Sequence, residues 1–244
     1  MGSALGSKDA KAVGKCYRLI FLSFESLFFV LFLLCDLLGR TFLFSSTVWK
    51  FSVIILAFLY VAFEWLWFGR GDALFRRRFF LLLAMGFTLI SDAFLLVRGD
   101  NYTIGVCTFI AAQIFHALEI PRSKRQAVVS VALRTSIPLL AIAILAFCNI
   151  LTPLYAAVAC YAPQLLGNLL EHLLGAVKNE DREEKRRSLL LTIGFALFLA
   201  CDLCVGLSNV GARGVGFWIW FFYAPSQALI AISCGRLTHE TESC

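Results

Sequence analysis

Two aspartates stand where an aspartate is costly. Asp92 lies in "GFTLISDAFLL" (86–96) and is the only formal charge from Phe79 to Val97. Asp202 lies in "ALFLACDLCVG" (196–206) and is the only charge from Ser188 to Ala212. Each follows a small residue, Ser91 or Cys201. An aspartate at the centre of a membrane helix costs about 2.5–3.5 kcal/mol on insertion scales. An inter-helix hydrogen bond returns only about 0.6–2 kcal/mol. A purely structural role therefore leaves a deficit, and two such residues point to chemistry. Two carboxyls facing one cavity cannot both ionise cheaply. One then keeps its proton as a general acid while the other is a general base, with no metal required.

Other polar residues fall inside the same apolar runs. Gln113 in "FIAAQIFHAL" (109–118), and Tyr223 and Gln227 in "WFFYAPSQALIAIS" (220–233), lie deep enough to hold a polar headgroup or position water. Asn149, Gln164 and Asn168 suit the same task, or glue helices together. Lys50 sits at the start of a run, where its ammonium either snorkels to the interface or neutralises a phosphate. Glu64, His116, Glu119, Glu171 and His172 fall near helix ends and are expected to reach headgroups or water there. No HxxxH or HExxH spacing occurs, and "CDLC" (201–204) has no second Cys pair or nearby His, so neither metal nor cofactor is expected.

The elements that position these residues are long apolar helices. The chain of 244 residues is 60% hydrophobic and only 16% charged, against about 25% charged in a soluble domain. The excess falls into runs of about 20 residues, enough to cross a hydrocarbon core as helix. A barrel is excluded because the runs do not alternate. The predicted fold is an all-α polytopic bundle of eight transmembrane helices. The spans are about 17–38, 48–68, 77–97, 102–120, 127–148, 151–174, 187–208 and 216–234. Residues 1–16 and 235–244 form polar tails around the membrane domain 17–234.

With the N-terminus inside, Lys and Arg divide 17 to 4 between inner and outer segments. That bias predicts both termini in the cytoplasm. It also explains the net charge of +6 as helix-flanking residues at anionic headgroups, not a nucleic-acid surface. Seven of nine cysteines fall inside spans and form no disulfide framework. Matching Asp92 with Asp202, and Gln113 with Gln227, offsets the chain by four helices. An even offset keeps orientation, so the halves read as two parallel four-helix repeats.

The order of these motifs resembles the lysoplasmalogenase-like (YhhN-type) family of eight-span membrane proteins. "GFTLISDAFLL" followed by "TIGVCTFIAAQIFHAL" (103–118) resembles its first Asp helix and the Gly-led helix ending in His. "RRSLLLTIGFALFLACDL" (186–203) resembles its second Asp helix, and "FFYAPSQALIAIS" its last helix. "TVWKFSVIIL" (47–56) resembles its Lys-Pro start of span 2, with Phe51 replacing the proline. The segment after His116 reads "ALEI", without the family's Tyr, and span 6 is more polar than the pattern.

The resemblance implies hydrolysis of the vinyl ether bond of lysoplasmalogens to a fatty aldehyde and a glycerophospho-base. Asp92 and Asp202 are then the acid–base pair, in either order. His116, Gln113, Tyr223, Gln227 and Lys50 are second-rank candidates for headgroup contact. The expected partners are a lysophospholipid substrate and the bilayer, with no nucleic acid; the sequence fixes no oligomeric state. The endoplasmic reticulum is the expected membrane. Two other classes fit intramembrane carboxylates: a proton-coupled transporter or lipid carrier, and a non-catalytic scaffold. The prolines Pro138, Pro153, Pro163 and Pro225 do not match between the halves, which disfavours a carrier. A scaffold tolerates Asn at both aspartate positions.

Overall fold

The computed structural model describes residues 7–68, 74–99 and 101–235, with side chains from Val13 onward. All eight predicted spans are helices: α1 (Ser7–Leu38), α2 (Ser46–Phe68), α3 (Phe75–Asp92), α4 (Tyr102–Glu119), α5 (Lys124–Phe147), α6 (Pro153–Lys178), α7 (Arg182–Asn209) and α8 (Gly216–Ile232). A π-helical turn, Ala93–Arg98, continues α3. Six of these helices are long and apolar enough to span a membrane. α8 has only 17 residues, and α6 carries Tyr161, Gln164, Asn168 and His172 along its length. The fold is a helical membrane bundle.

α1 begins ten residues before the predicted span, so residues expected to form a polar tail are helical from Ser7. Arg70, Arg236 and the tail from 236 lie outside the described residues.

Local sequence explains where several helices start. Ser123 and Gln126 form a reciprocal capping box at α5. Thr152 caps α6 with Pro153 in its first turn, where a missing N–H costs nothing. Asp181 caps α7, and Glu183 and Glu184 complement the positive end of its dipole.

Six helices close a ring in the order α2, α3, α4, α6, α7, α8 and back to α2. α1 packs outside on α2, and α5 outside on α6. The pattern repeats with a four-helix offset: α3 meets α4 as α7 meets α8, α2 meets α3 as α6 meets α7, and α2 meets α8 as α6 meets α4. α3 and α7, the aspartate helices, therefore occupy opposed places in the ring. Ile54, Leu81, Phe195 and Phe198 of the ring helices are buried, as is Phe32 where α1 meets the ring. Apolar residues of the outer helices, such as Leu19, Leu139 and Leu140, are exposed, as a lipid-facing surface requires.

Side-chain contacts identify the two ends of the bundle. At the basic end, Arg77 at the start of α3 pairs with Glu184 at the start of α7, and Arg78 donates to the carbonyl of Cys234 at 3.1 Å. At the other end, Lys50 of α2 pairs with Asp36 of α1 at 2.7 Å. Gly194 lets α7 pass close over α8: a Cβ there would lie 2.9 Å from Ile230 and 3.3 Å from the Ser226 carbonyl. Gly194→Val should lower stability by about 1–3 kcal/mol through overpacking, read as a reduced melting temperature in detergent.

Candidate active site

Asp92 is placed by the end of α3. One residue before it, Ser91 donates through Oγ to the Gly105 carbonyl at 2.6 Å, locking α3 to the first turn of α4. Thr108 donates to the same carbonyl at 2.7 Å. Gly105 allows this approach: a Cβ there would lie 2.6 Å from the Leu95 side chain of the π-helical turn. The turn ends at Gly99, whose φ of 68° suits glycine. π-Helical turns widen a helix locally and recur at functional sites.

The two carboxyls have matching partners. Tyr223 of α8 donates its hydroxyl to Asp92 Oδ2 at 2.6 Å. Tyr161 of α6 donates to Asp202 Oδ2 at 2.6 Å. Among the described residues no protein donor bonds Oδ1 of either aspartate. Asp92 is buried and Asp202 half-buried. A run of aromatic contacts links the two tyrosines: Tyr161 to Phe109 at 5.9 Å, Phe109 to Phe198 at 5.5 Å, and Phe198 to Tyr223 at 5.3 Å. Aromatic rings thus run between the two carboxyl–tyrosine pairs, whose aspartates stand on opposed helices.

The pairs are alike in geometry but not in origin. The offset that matches Gln113 with Gln227 also matches Phe109 with Tyr223. The second aspartate thus lacks a tyrosine where the repeat would supply one, and takes it from α6 instead.

The second-rank candidates divide. Lys50 is held by Asp36 of α1 at 2.7 Å and lies over the rings of Phe32 at 5.8 Å and Trp220 at 5.5 Å, between α1 and α8. Gln227 is buried, donating to Ser226 Oγ at 3.3 Å, with its own Oε1 unpartnered. Gln113 accepts from Asn168 Nδ2 at 2.8 Å. His116 stands edge-on to Phe195 at 5.1 Å, toward the basic end and away from the aspartates.

Glu64, His116, Glu119 and His172 do not reach headgroups or water as expected: all are buried. Glu119 accepts from Arg187 at 3.4 Å, and His172 stacks on Phe195 at 5.4 Å. Glu171 is half-buried and paired with Arg122. Gln164 and Asn168 act as glue, through a basic residue of α5. Buried Arg134 donates to the Gln164 carbonyl at 2.9 Å and to Asn168 Oδ1 at 2.8 Å. Among the described residues no three His, Cys, Asp or Glu side chains converge to hold a metal ion.

Tyr161 is the functional candidate that the sequence reading missed. Its signal is helical spacing: Tyr161, Asn168 and His172 fall on the one buried face of α6, with Ala157, Leu165 and Ala176 between and beyond them.

The model of the YhhN family matches residues 20–234. No curated protein and no solved structure matches the chain.

Proposed function

The chain belongs to the YhhN family, and on that premise we propose that it is a membrane-embedded hydrolase of the vinyl ether bond of lysoplasmalogens. The observation that carries this reading is the paired arrangement of Asp92 and Asp202, each held by one tyrosine hydroxyl at 2.6 Å. Each carboxyl uses Oδ2 for its tyrosine and keeps Oδ1 for reaction. One aspartate, protonated, gives its proton to the alkenyl carbon distal to the ether oxygen. The other, ionised, stabilises the oxocarbenium ion and takes a proton from the water that attacks it. The hemiacetal then collapses to a fatty aldehyde and the free glycerol hydroxyl. The aromatic walls suit the alkenyl chain, and the exclusion of bulk water protects the cation. Both termini face the cytoplasm in this reading, in the endoplasmic reticulum membrane.

Aldehyde release from lysoplasmenylethanolamine by purified protein in detergent tests the assignment. Release sustains it. No release from any vinyl ether lipid overturns it, and proton-coupled transport becomes the reading to test.

The tyrosines make a separate prediction. Tyr223→Phe and Tyr161→Phe each remove a hydrogen bond to a carboxyl, worth about 1.5–3 kcal/mol. Each should lower kcat by about 10- to 150-fold with little change in KM, because the lost contact is to the acid–base pair and not to the headgroup. A rise in KM alone would instead mark the tyrosines as substrate contacts.

A further inference from the structure

A cavity of about 1220 Å³ opens at the basic end between α5, α6 and the start of α7. Its wall has two parts. Leu133 and Ile137 of α5 and Leu166 and Leu170 of α6 make an apolar groove, and all four are exposed toward the lipid side. Above them the lining carries Arg77, Arg122, Arg125, Arg134, Lys178 and Arg187 against Glu119, Glu171 and Glu184, an excess of three positive charges.

Four of these six cations are in ion pairs. Arg77 pairs with Glu184, and Arg122 and Arg134 pair with Glu171. Arg125 and Lys178 are exposed at the mouth and form no ion pair among the described residues. Arg187 is 7% exposed, and its buried Nη1 has no hydrogen-bond partner. Its Nη2 pairs with Glu119 at 3.4 Å. The one donor left over is costly to bury unless a further acceptor meets it.

The geometry points to a second lipid site here: an anionic phospholipid with its phosphate against Arg187, Arg125 and Lys178 and its chain along the α5–α6 groove. Basic pockets between membrane helices hold anionic headgroups by this combination. The site is separate from the aspartates. Arg187 and Asp202 are fifteen residues apart on one helix, about 22 Å at 1.5 Å per residue. In a lysoplasmalogen the phosphate and the vinyl ether share one three-carbon glycerol unit. No single molecule can place its vinyl ether at the aspartates and its phosphate here, so the inference does not depend on the hydrolase reading.

Native mass spectrometry of the full-length protein in neutral detergent tests it, with dioleoylphosphatidic acid and dioleoylphosphatidylcholine as probes. Phosphatidic acid should be retained in preference to phosphatidylcholine, and excess inorganic phosphate should not displace it. Arg125→Gln with Lys178→Gln breaks no bond within the fold and should weaken phosphatidic acid binding about 30-fold, at an unchanged melting temperature. Asp92→Asn should bind it as wild type does. Equal retention of the two lipids, or an unaffected double variant, overturns the site. Full displacement by inorganic phosphate makes it a free-phosphate site and overturns the lipid assignment. Lost binding in Asp92→Asn overturns its separateness.

Discussion

Asp92→Asn and Asp202→Asn should each reduce aldehyde release from lysoplasmenylethanolamine by about 10²–10⁴-fold, the range for losing a positioned general acid or base. The asparagine carbonyl can still accept the hydroxyl of Tyr223 or Tyr161, so the local hydrogen bond survives and the melting temperature should hold within a few degrees. The double variant should be little worse than either single one, because groups acting as one unit are not additive. Turnover measured by aldehyde trapping, beside melting curves of the same preparations, separates lost chemistry from lost folding. A folded single variant that keeps its rate would remove that aspartate from the mechanism. Two such variants would place the chemistry on residues other than the aspartates.

The second large effect concerns stability. Arg134→Leu should destabilise the protein by about 3–5 kcal/mol, the cost of removing one partner from a buried charged network. Arg134 bonds Ser130 at 3.1 Å, the Gln164 carbonyl at 2.9 Å and Asn168 Oδ1 at 2.8 Å, and lies 3.4 Å from Glu171. Asn168 in turn donates to Gln113, so one guanidinium ties peripheral α5 through α6 to α4. Gly167 leaves room for it, since a Cβ there would lie 2.7 Å from the guanidinium carbon. Thermal unfolding in detergent measures the loss. Adding Glu171→Gln should recover part of it, by removing a half-buried charge that has lost a partner. An Arg134→Leu protein as stable as wild type would show that the network contributes nothing net.

The helices and the paired aspartates were legible in the sequence for one physical reason. A hydrocarbon solvent forces continuous apolar runs, and each departure from them is conspicuous. Asp92 and Asp202 stand out because nothing charged surrounds them. Tyr161 did not stand out, because tyrosine is common in membrane helices and its partner lies 41 residues away on another helix. Arg134 was visible as a charge within a span, but its role depends on α5 lying against α6, which no local pattern specifies. The burial of Glu119 and His172 was missed for a related reason. Position near a helix end suggests water, and only the packing of α4 against α6 and α6 against α7 removes it. The π-helical turn after Asp92 has no signature in "AFLLVR".

The unequal origin of the two tyrosines has a consequence for division of labour. Two identical four-helix subunits related by a rotation axis would present the same carboxyl twice, in the same surroundings. Nothing would then distinguish proton donor from proton acceptor, and the proton would be shared by symmetry. With both halves on one chain, Phe109 can stand where its counterpart is Tyr223, and α6 can supply Tyr161 to Asp202 alone. A covalently joined pair can thus give a fixed identity to each aspartate, which an exchangeable pair cannot.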